Sequence, residues 1–305
     1  MNANNPQVSI VIRTKNEARF IGATLRKIFE QATKLNYEVI IVDSGSTDDT
    51  LAIVHKYPAR LFKIASTEFT YGYALNYGAR VSKSDYIVNL SAHCIPVNSC
   101  WLDQLVTPLL SNHTLAATYG KQVPIQGHNP FEERATLDAF RVQSNGRIKA
   151  IFSNANCAIK RNIWEAHPFD EKAPFAEDFI WATQVSSDEC AIHYVEGAAV
   201  FHSHAFDIRF WSKRYYDNAL LSHYLQSVYN FTYPWQQPRF EMRNISSVAR
   251  DLVVESLEVG LFFLKNRYYR YIPVIPVEFL LRHYFSNKGR RMAAKLYPTR
   301  SIQSD

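Results

Sequence analysis

The chain has 305 residues, of which 47% are hydrophobic, 14% aromatic and 20% charged. This length and composition provide for one large hydrophobic core with a smaller appendage, and they exclude a disordered or low-complexity protein. The formal charge of +6 is uneven, because residues 206–305 contain 15 Lys and Arg but only 8 Asp and Glu. This surplus predicts an anionic partner for the last third of the chain.

The cysteines form no CxxC pair, and the sequence has neither a signal peptide pattern nor an apolar run of about 18 residues that would span a bilayer. The four are Cys94, Cys100, Cys157 and Cys190. Thiols in this arrangement are typical of a reducing compartment. We therefore expect a cytoplasmic protein.

In chain order, strands and helices alternate over the first ninety residues. Short apolar, β-branched runs predict strands at residues 8–12, 38–42, 60–65 and 85–90, and helical spacing predicts helices at 17–31 and 71–81. Such alternation is typical of an α/β fold with a mostly parallel, Rossmann-like sheet flanked by helices.

The second half has a looser pattern. It predicts helices at residues 101–110, 130–142 and 176–186, and strands at 156–160, 190–195 and 198–202. From Phe206 onward the sequence becomes helical, basic and aromatic, with a strong helix signal at 247–264. We expect an α/β domain over residues 1–205 and a helical extension over 206–305.

Polar residues follow three of the predicted strands. In parallel α/β sheets, ligands bind beyond the carboxyl ends of the strands. The residues at these ends are Thr14, Asn16 and Glu17 after the first strand, Asp43, Ser44 and Gly45 after the second, and Ser91, Ala92 and His93 after the fourth. The sequence therefore predicts a binding crevice at this edge of the sheet.

The segments VSIVIRTKNE and VDSGSTDDT resemble the start of glycosyltransferase family 2, whose members have the GT-A fold. The likeness continues through Ser91-Ala92-His93 and Ala176-Glu177-Asp178, which is similar to the family's Glu-Asp motif, and extends over residues 8–204. The resemblance implies an inverting glycosyltransferase that uses a nucleotide-sugar donor. All nine strand-end residues are then candidate donor contacts.

For Asp43, the family implies a bond to the N3–H of a pyrimidine, with Thr14 and Glu17 helping to hold the nucleoside. A buried carboxylate facing an N–H donor makes a strong, charge-assisted hydrogen bond. The alternative is that Asp43 only stabilises its own turn by accepting hydrogen bonds from the following backbone.

Asp178 matches the family's catalytic base, which removes the proton of the acceptor hydroxyl. General-base help is typically worth about 10²–10⁴ in rate. Alternatively, Glu177 and Asp178 merely begin a helix, where acidic residues suit the helix dipole.

The chain departs from the family at the metal motif, because Ser91-Ala92-His93 replaces the usual Asp-x-Asp. Imidazole can replace a carboxylate as a ligand for Mn²⁺. His202 and His204 follow a predicted strand and point to one face by strand alternation. We expect His93 with one or both of these residues to bind Mn²⁺ or Mg²⁺; alternatively, histidines contact the diphosphate without a metal.

A finer resemblance is to rhamnosyltransferases, which use dTDP-L-rhamnose and build surface polysaccharides. It is carried by SAHCIP, Gly120-Lys121-Gln122, the NPFE run at residues 129–132, and HSH. It implies a dTDP-rhamnose or UDP-sugar donor and a hydroxyl acceptor on a surface polysaccharide or lipid-linked glycan. Candidate sugar or acceptor contacts are Trp101, Asn154, Asn156, Glu177 and Trp181, for which core packing or strand-end capping is the alternative.

Cations mix with aromatic residues at 267–271 and 288–291. This mixture is typical of a membrane interface, and we expect peripheral contact at the inner face of the plasma membrane. A helical subdomain with a solvated basic face is an equal alternative, and no nucleic-acid-binding module is recognisable.

Two other functions compete with glycosyl transfer. A catalytically silent GT-A scaffold or glycan-binding protein is compatible with the missing Asp-x-Asp. A sugar nucleotidyltransferase fits less well, because RTKNEARF after the first strand lacks the glycine-rich loop of that class.

Overall fold

The computed structural model describes residues 6–142, 151–173, 175–187, 190–229 and 245–297. The chain forms two compact units. The first unit comprises residues up to Ile125 together with Thr136–Ser203, and the second comprises Gln126–Ala135 and the chain from His204 onward. The first unit contains an eight-stranded sheet with the order β3-β2-β1-β4-β7-β6-β8-β5.

Four parallel strands form one half of this sheet. They are β1 (Val8–Thr14), β2 (Tyr37–Asp43), β3 (Arg60–Lys63) and β4 (Tyr86–Ser91). In the register of β1, Thr14 lies opposite Asp43 on one side, and Arg13 lies opposite Ser91 on the other. The polar strand ends predicted to line a crevice are therefore neighbours at one edge of the sheet.

The other half of the sheet is mixed. Its strands are β5 (Ile95–Pro96), β6 (Leu115–Val123), β7 (Asn156–Lys160) and β8 (Ala191–Phe201). Strand β7 is antiparallel to both β4 and β6, whereas β6 is parallel to β8. The two strands predicted at 190–195 and 198–202 form one continuous strand, because β6 pairs with β8 on both sides of Gly197 with a register shift there.

Helices α1 to α7 follow or connect these strands. They are α1 (Ile21–Phe29), α2 (Thr50–Val54), α3 (Tyr71–Val81), α4 (Trp101–Ser111), α5 (Pro130–Ala139), α6 (Arg161–Ala166) and α7 (Glu177–Ser187). Helix α1 begins four residues later than predicted, because residues 17–20 form a turn in which the N–H groups of Phe20 and Ile21 donate to the carbonyl of Glu17. Asn16, just before this turn, is in the left-handed conformation, with φ of 54°.

Side chains alternate between two apolar clusters on opposite faces of the sheet. Ile10 and Ile12 of β1 belong to a cluster with buried residues of α1 and α4. Val11 points the other way and packs with buried residues of α3 and α7. This two-sided burial explains why β1, β2 and β4 are nearly continuous apolar runs, and it gives the predicted α/β architecture.

The second unit is helical, as predicted for the C-terminal extension. It contains α8 (Ile208–Tyr224) with a π-helical turn (Leu225–Tyr229), α9 (Ile245–Lys265), a 3₁₀ segment (Tyr269–Val274) and α10 (Ile275–Leu296). Val259, Phe263 and Ile275 form a buried cluster in this unit. In the part of the chain that the structure describes, none of the helices has the length and apolar character needed to cross a bilayer.

Candidate active site

The loops after β1 and β2 are fastened to each other. The side-chain oxygen of Asn16 accepts a hydrogen bond from the backbone N–H of Thr47 at 2.7 Å, and the N–H of Asn16 donates to Ser46 Oγ at 2.9 Å. The N–H of Glu17 donates to Thr50 Oγ1 at 2.7 Å. Asn16 therefore stabilises the contact between the two loops that border the predicted crevice.

Asp43 is almost fully buried and accepts hydrogen bonds within its own turn. Its Oδ2 accepts the N–H groups of Gly45 and Ser46, both at 3.0 Å, and its Oδ1 accepts the hydroxyl of Ser46. This is the turn-stabilising role considered above as the alternative. A carboxylate has about four lone-pair sites, so the bonds leave acceptor capacity, and the pyrimidine contact stays a prediction.

Gly45 and Ser44 complete this turn. Gly45 has a φ of 93°, and a Cβ atom there would lie 2.4 Å from Ser66 Oγ, so only glycine fits. The N–H of Ser44 donates to the carbonyl of Thr14 at 3.1 Å, and its own carbonyl accepts Ser66 Oγ at 2.6 Å. The turn is therefore rigidly joined to the end of β1.

Polar atoms at the end of β1 are buried without a partner among the described residues. These are Thr14 Oγ1 and Arg13 Nε. The Arg13 guanidinium lies over the ring of Tyr71, 4.5 Å from its centroid. Unsatisfied buried groups are costly and mark places where a ligand supplies the missing partner. Arg13 was not singled out from the sequence, although a cation ending an apolar strand was a signal.

His93 and His202 meet in the first unit. Their Nε2 atoms are 3.2 Å apart, and their rings are stacked. On the far side of each ring, Nδ1 contacts an oxygen: Glu17 Oε1 at 2.8 Å for His93, and Gln122 Oε1 at 2.7 Å for His202. Glu17 thus orients His93 here, and its predicted nucleoside contact stays a prediction.

These contacts determine which ring nitrogens carry hydrogen. Since a carboxylate and an amide oxygen only accept, each Nδ1 donates, and in the neutral imidazole the lone pair is then on Nε2. The two lone pairs face each other, an arrangement that a shared cation stabilises. Two nitrogens at about 2.1 Å from one metal ion, with an angle near 100° between them, are about 3.2 Å apart. The pair of His93 and His202 therefore fits a divalent metal ion.

His204, in the second unit, has the same arrangement around its ring. Its Nδ1 contacts Glu132 Oε1 at 2.6 Å, and its backbone N–H donates to Glu132 Oε2 at 2.7 Å. An imidazole oriented by a carboxylate at Nδ1 is the usual support for a metal ligand that binds through Nε2.

Ser91 and Ala92 prepare the position of His93. Ser91 is buried at the end of β4, and its N–H donates to the carbonyl of Ala155 at 3.1 Å. Ala92 is buried, and its carbonyl accepts the hydroxyl of Thr24 at 2.8 Å. The backbone of both residues, directly before His93, is thus fixed by hydrogen bonds.

Two carboxyl groups begin helix α7, of which Glu177 is buried and Asp178 is half-buried. Asp178 Oδ1 accepts the N–H of Phe179 at 2.8 Å, and Oδ2 accepts the N–H of Asn154 at 3.3 Å. The side-chain amide of Asn154 donates to Glu177 Oε1 at 3.2 Å. Ala176, just before the pair, has a φ of 60°, which is strained for a residue other than glycine. Backbone strain of this kind concentrates at functional sites.

Burial shifts the pKa values of both acids upward. Burial and the neighbouring charge of Asp178 raise the pKa of Glu177 to about 7, against the opposing charge of Arg13. Burial also raises the pKa of Asp178, while the N–H groups of Phe179 and Asn154 and the charge of Arg13 lower it. A carboxylate whose pKa is raised by burial is a stronger proton acceptor than one in water, which suits a group that accepts a proton during a reaction.

The candidate sugar contacts differ in their burial and in their hydrogen-bond partners. Trp101 and Trp181 are completely buried in the two core clusters, and neither ring has a face open to a sugar. Trp101 donates to Asn156 Oδ1 at 2.9 Å, and Asn156 donates to the carbonyl of Ala198 at 2.8 Å. Only Asn154 among the candidates bridges Glu177 and Asp178.

The chain is similar to a family of known proteins and to several of its members. The family model described as glycosyl transferase family 2 matches residues 9–167. The O-antigen chain rhamnosyltransferase WbaN of Salmonella anatum is 28% identical over 247 residues, which cover 77% of this chain and 76% of that protein. A chondroitin synthase of Pasteurella multocida (strain Pm70) is 30% identical over 163 residues, which cover 52% of this chain and 17% of that protein.

Solved structures share the fold at low identity. The mannosyltransferase PcManGT of Pyrobaculum calidifontis, in complex with GDP-Man and Mn²⁺, covers 93% of this chain and 88% of its own, with a TM-score of 0.58 and 19% identity. Glucosyl-3-phosphoglycerate synthase of Mycobacterium tuberculosis, in complex with Mn²⁺, UDP-glucose and phosphoglyceric acid, covers 73% of this chain and 79% of its own, with a TM-score of 0.54 and 21% identity. Both confirm the predicted GT-A fold. Because the family model spans more than half of the chain, this protein belongs to glycosyl transferase family 2 and is a glycosyltransferase.

Proposed function

We propose that the protein transfers a sugar from a nucleotide-diphosphate donor to a hydroxyl group of a surface-polysaccharide or lipid-linked glycan, with inversion at the anomeric carbon. The observation that carries this proposal is the half-buried carboxyl group of Asp178, oriented by two backbone N–H groups at the start of α7. An oriented carboxylate is what a hydroxyl nucleophile needs for general-base help.

In this proposal Asp178 removes the proton of the acceptor hydroxyl as the hydroxyl attacks the anomeric carbon. Glu177 lies next to Asp178 in the chain, and burial together with the charge of Asp178 raises the pKa of Glu177 to about 7. Asn154 holds both acids in place. The charge of Arg13 lowers the pKa of both acids and so opposes part of the rise that burial causes.

The donor is proposed to be dTDP-rhamnose or a UDP-sugar. Support comes from WbaN, a rhamnosyltransferase by name. Asp43 has acceptor capacity for a pyrimidine N–H, and the buried Thr14 hydroxyl lacks a protein partner among the described residues. In the proposed complex the nucleoside lies at the ends of β1 and β2, and Ser44, Gly45 and Asn16 shape the loop beneath it.

His93 and His202 would hold the metal ion, and His204, two residues further along the chain, would supply a third ligand. Each of the three offers one ring nitrogen. Their Nδ1 atoms contact the oxygens of Glu17, Gln122 and Glu132, respectively, which directs Nε2 to the ion. When bound, Mn²⁺ or Mg²⁺ would neutralise the negative charge that develops on the departing diphosphate.

The acceptor is proposed to be presented at the inner face of the plasma membrane. Support comes from WbaN, an O-antigen chain enzyme by name, and from the basic surplus of the last hundred residues. Peripheral contact through the second unit would bring the enzyme to a lipid-linked glycan.

Donor hydrolysis tests the proposed function without knowledge of the acceptor. The purified protein is incubated with dTDP-rhamnose, UDP-sugars or GDP-mannose, with and without Mn²⁺ or Mg²⁺, and nucleotide release and thermal shift are measured. We expect slow, metal-dependent release from one donor and loss of release in His93→Ala. The exposed residue His113 supplies the matched control, His113→Ala. Neither release nor a thermal shift with any donor would instead favour a catalytically silent, glycan-binding scaffold.

A further inference from the structure

The side chain of Arg13 lies over an aromatic ring at the carboxyl end of β1. The ring belongs to Tyr71, the first residue of α3, and its centroid is 4.5 Å from the guanidinium carbon. Among the residues that the structure describes, the Nε of Arg13 is buried without a hydrogen-bond partner, and the guanidinium forms no ion pair. A guanidinium carries five N–H donors in a planar fork, so this one is positioned by the ring and has donors left for a ligand.

Strand alternation explains the direction of this side chain. Val11, two residues earlier on β1, packs in the apolar cluster that includes buried residues of α3 and α7. Arg13 points to the same face of the sheet and is half-buried there. The acids Glu177 and Asp178 begin α7, and the charge of Arg13 opposes the rise in their pKa values that burial causes. Arg13 is therefore within electrostatic range of the proposed base.

The place of β1 in the sheet puts Arg13 between the two parts of the proposed donor site. Arg13 lies opposite Val42 of β2 on one side and opposite Ser91 of β4 on the other. Asp43, the proposed nucleoside contact, ends β2, and the proposed metal ligand His93 follows the end of β4. Neighbouring strands are about 4.8 Å apart, so the ends of β2 and β4 are about 10 Å apart with β1 between them. A diphosphate that joins a nucleoside at Asp43 to an ion at His93 would pass over the end of β1.

We propose that Arg13 is a donor-binding residue whose guanidinium donates hydrogen bonds to phosphate oxygens of the nucleotide diphosphate. The inference deepens the proposed function and rests on its placement of the nucleoside and the metal ion. The fork of a guanidinium matches the oxygens of a phosphate, and the bonds between them are charge-assisted. A phosphate would supply the partner that the N–H donors of this half-buried cation lack among the described residues. Tyr71 is then a positioning residue, because its ring holds the guanidinium in place.

The alternative is that Arg13 serves only as a counter-charge for the acids of α7. A guanidinium with that role would form an ion pair with the carboxylate of Glu177 or Asp178, and neither pair is present in the described part of the chain. Both carboxyl groups instead accept hydrogen bonds from other donors, namely the side-chain amide of Asn154 and two backbone N–H groups. The N–H donors of Arg13 are thus left for a substrate oxygen.

Ligand titrations of the full-length protein test this contact. Thymidine and dTDP, and uridine and UDP, are titrated by calorimetry in the presence of Mn²⁺. Arg13→Gln is expected to bind the diphosphate at least about tenfold more weakly than the wild type does, because charge-assisted hydrogen bonds are lost. Its affinity for the matching nucleoside is expected to be unchanged, because the nucleoside has no phosphate for Arg13 to bind.

Further variants separate the fork, the ring and the fold. Arg13→Lys keeps the charge without the planar fork and should lose less diphosphate affinity than Arg13→Gln. Tyr71→Ala should weaken diphosphate binding, and Tyr71→Phe, which keeps the ring, should restore it. The matched control is Arg60→Gln, because Arg60 also lies over an aromatic ring, that of Phe62 at 5.1 Å, but at the opposite edge of the sheet. This control should bind every ligand as the wild type does.

Three results would overturn the inference. These are unchanged diphosphate binding by Arg13→Gln, an equal loss of nucleoside and diphosphate binding, which would mean a structural role, or a wild type that binds neither dTDP nor UDP. Circular dichroism checks the fold of Arg13→Gln, and if this variant did not fold, Arg13→Lys would have to lose diphosphate affinity without losing nucleoside affinity. Normal dTDP binding by Arg13→Gln, together with donor hydrolysis by the wild type, would refute the inference alone and leave the proposed function standing.

Discussion

Asp178 is the residue whose replacement should separate chemistry from donor binding. In Asp178→Asn the side chain keeps its size and one oxygen for the N–H of Phe179, so the fold should persist. The base is lost, and we expect transfer to fall by at least about 10² with nearly unchanged donor affinity. Single-turnover rates and donor titration measure the two effects. Asp85→Asn, at an exposed residue before β4, is the control, and a large loss of donor affinity in Asp178→Asn would mean a structural role instead.

Glu177 should give the fold a stability that depends on pH. Its pKa rises from 4.5 in the unfolded chain to about 7 in the fold, so the folded state holds its proton more strongly. This contribution to stability is fully present below pH 4.5 and is lost as pH rises toward about 7. Chemical denaturation of Glu177→Gln between pH 5 and pH 8 should therefore show a smaller decline of stability than the wild type.

The matched control for this measurement is Glu165→Gln in α6, where the side chain is 59% exposed. This variant should follow the wild-type decline between pH 5 and pH 8. If Glu177→Gln declined as steeply as the wild type, the buried carboxyl group of Glu177 would not be the source of the pH dependence.

At single residues, the sequence suggested roles that stay predictions. Asp178 was a candidate through the resemblance to the family, and His93 and His202 were candidates through their places after predicted strands. The hydrogen bond from His93 to Glu17 and the unsatisfied Nε of Arg13 depend on side-chain directions that spacing does not contain. Trp101 was a candidate sugar contact, but a tryptophan that begins an amphipathic helix can also point inward, as it does here.

Among the elements, the pairing of β6 with β8 depends on Gly120. A Cβ atom at this position would lie 1.9 Å from the carbonyl oxygen of Ala198 and 2.3 Å from Nδ2 of Asn156. Gly120→Ala must push the two strands apart and should destabilise the protein by about 3 kcal/mol, measured by urea denaturation. Since Asn156 also bonds Trp101, the near-ultraviolet circular dichroism should change as well.

Gly260 in α9, unlike Gly120, has room for a Cβ atom. The nearest atom to an added Cβ is Ile275 Cδ1 at 4.0 Å, which is ordinary contact. Gly260→Ala should stabilise the protein by about 0.5–1 kcal/mol, because alanine is the better helix former. Equal effects of the two substitutions would contradict the close approach of β6 and β8.

Helices and strands with a clear hydrophobic periodicity were predicted well. A strand whose conformation depends on pairing with its neighbours was not. Helix α3 and strand β7 have the predicted bounds, 71–81 and 156–160. Strand β6 was missed because LAATYGKQV mixes small, polar and glycine residues and lacks a β-branched run. Its extended conformation comes from β7 and β8 on either side, which is tertiary information.

For the whole molecule, the sequence predicted an α/β domain and a helical extension, but not which residues join each unit. Residues 126–135 belong to the second unit with the chain from His204 onward. Within that unit, Phe131 packs edge-on against Phe263 with ring centroids 4.9 Å apart, and Tyr268 donates to Glu133 at 2.8 Å. Contacts between residues more than 130 positions apart leave no local pattern in the sequence.

The most direct test of the account is a crystal structure with Mn²⁺ and dTDP, with data recorded at the manganese absorption edge. We expect an anomalous peak within about 2.2 Å of Nε2 of both His93 and His202, with the diphosphate on the ion and the nucleoside at Asp43. We also expect the side chain of Asp178 to open onto the same cleft. Manganese bound away from the two histidines, or a nucleotide in a cleft that Asp178 does not reach, would contradict it.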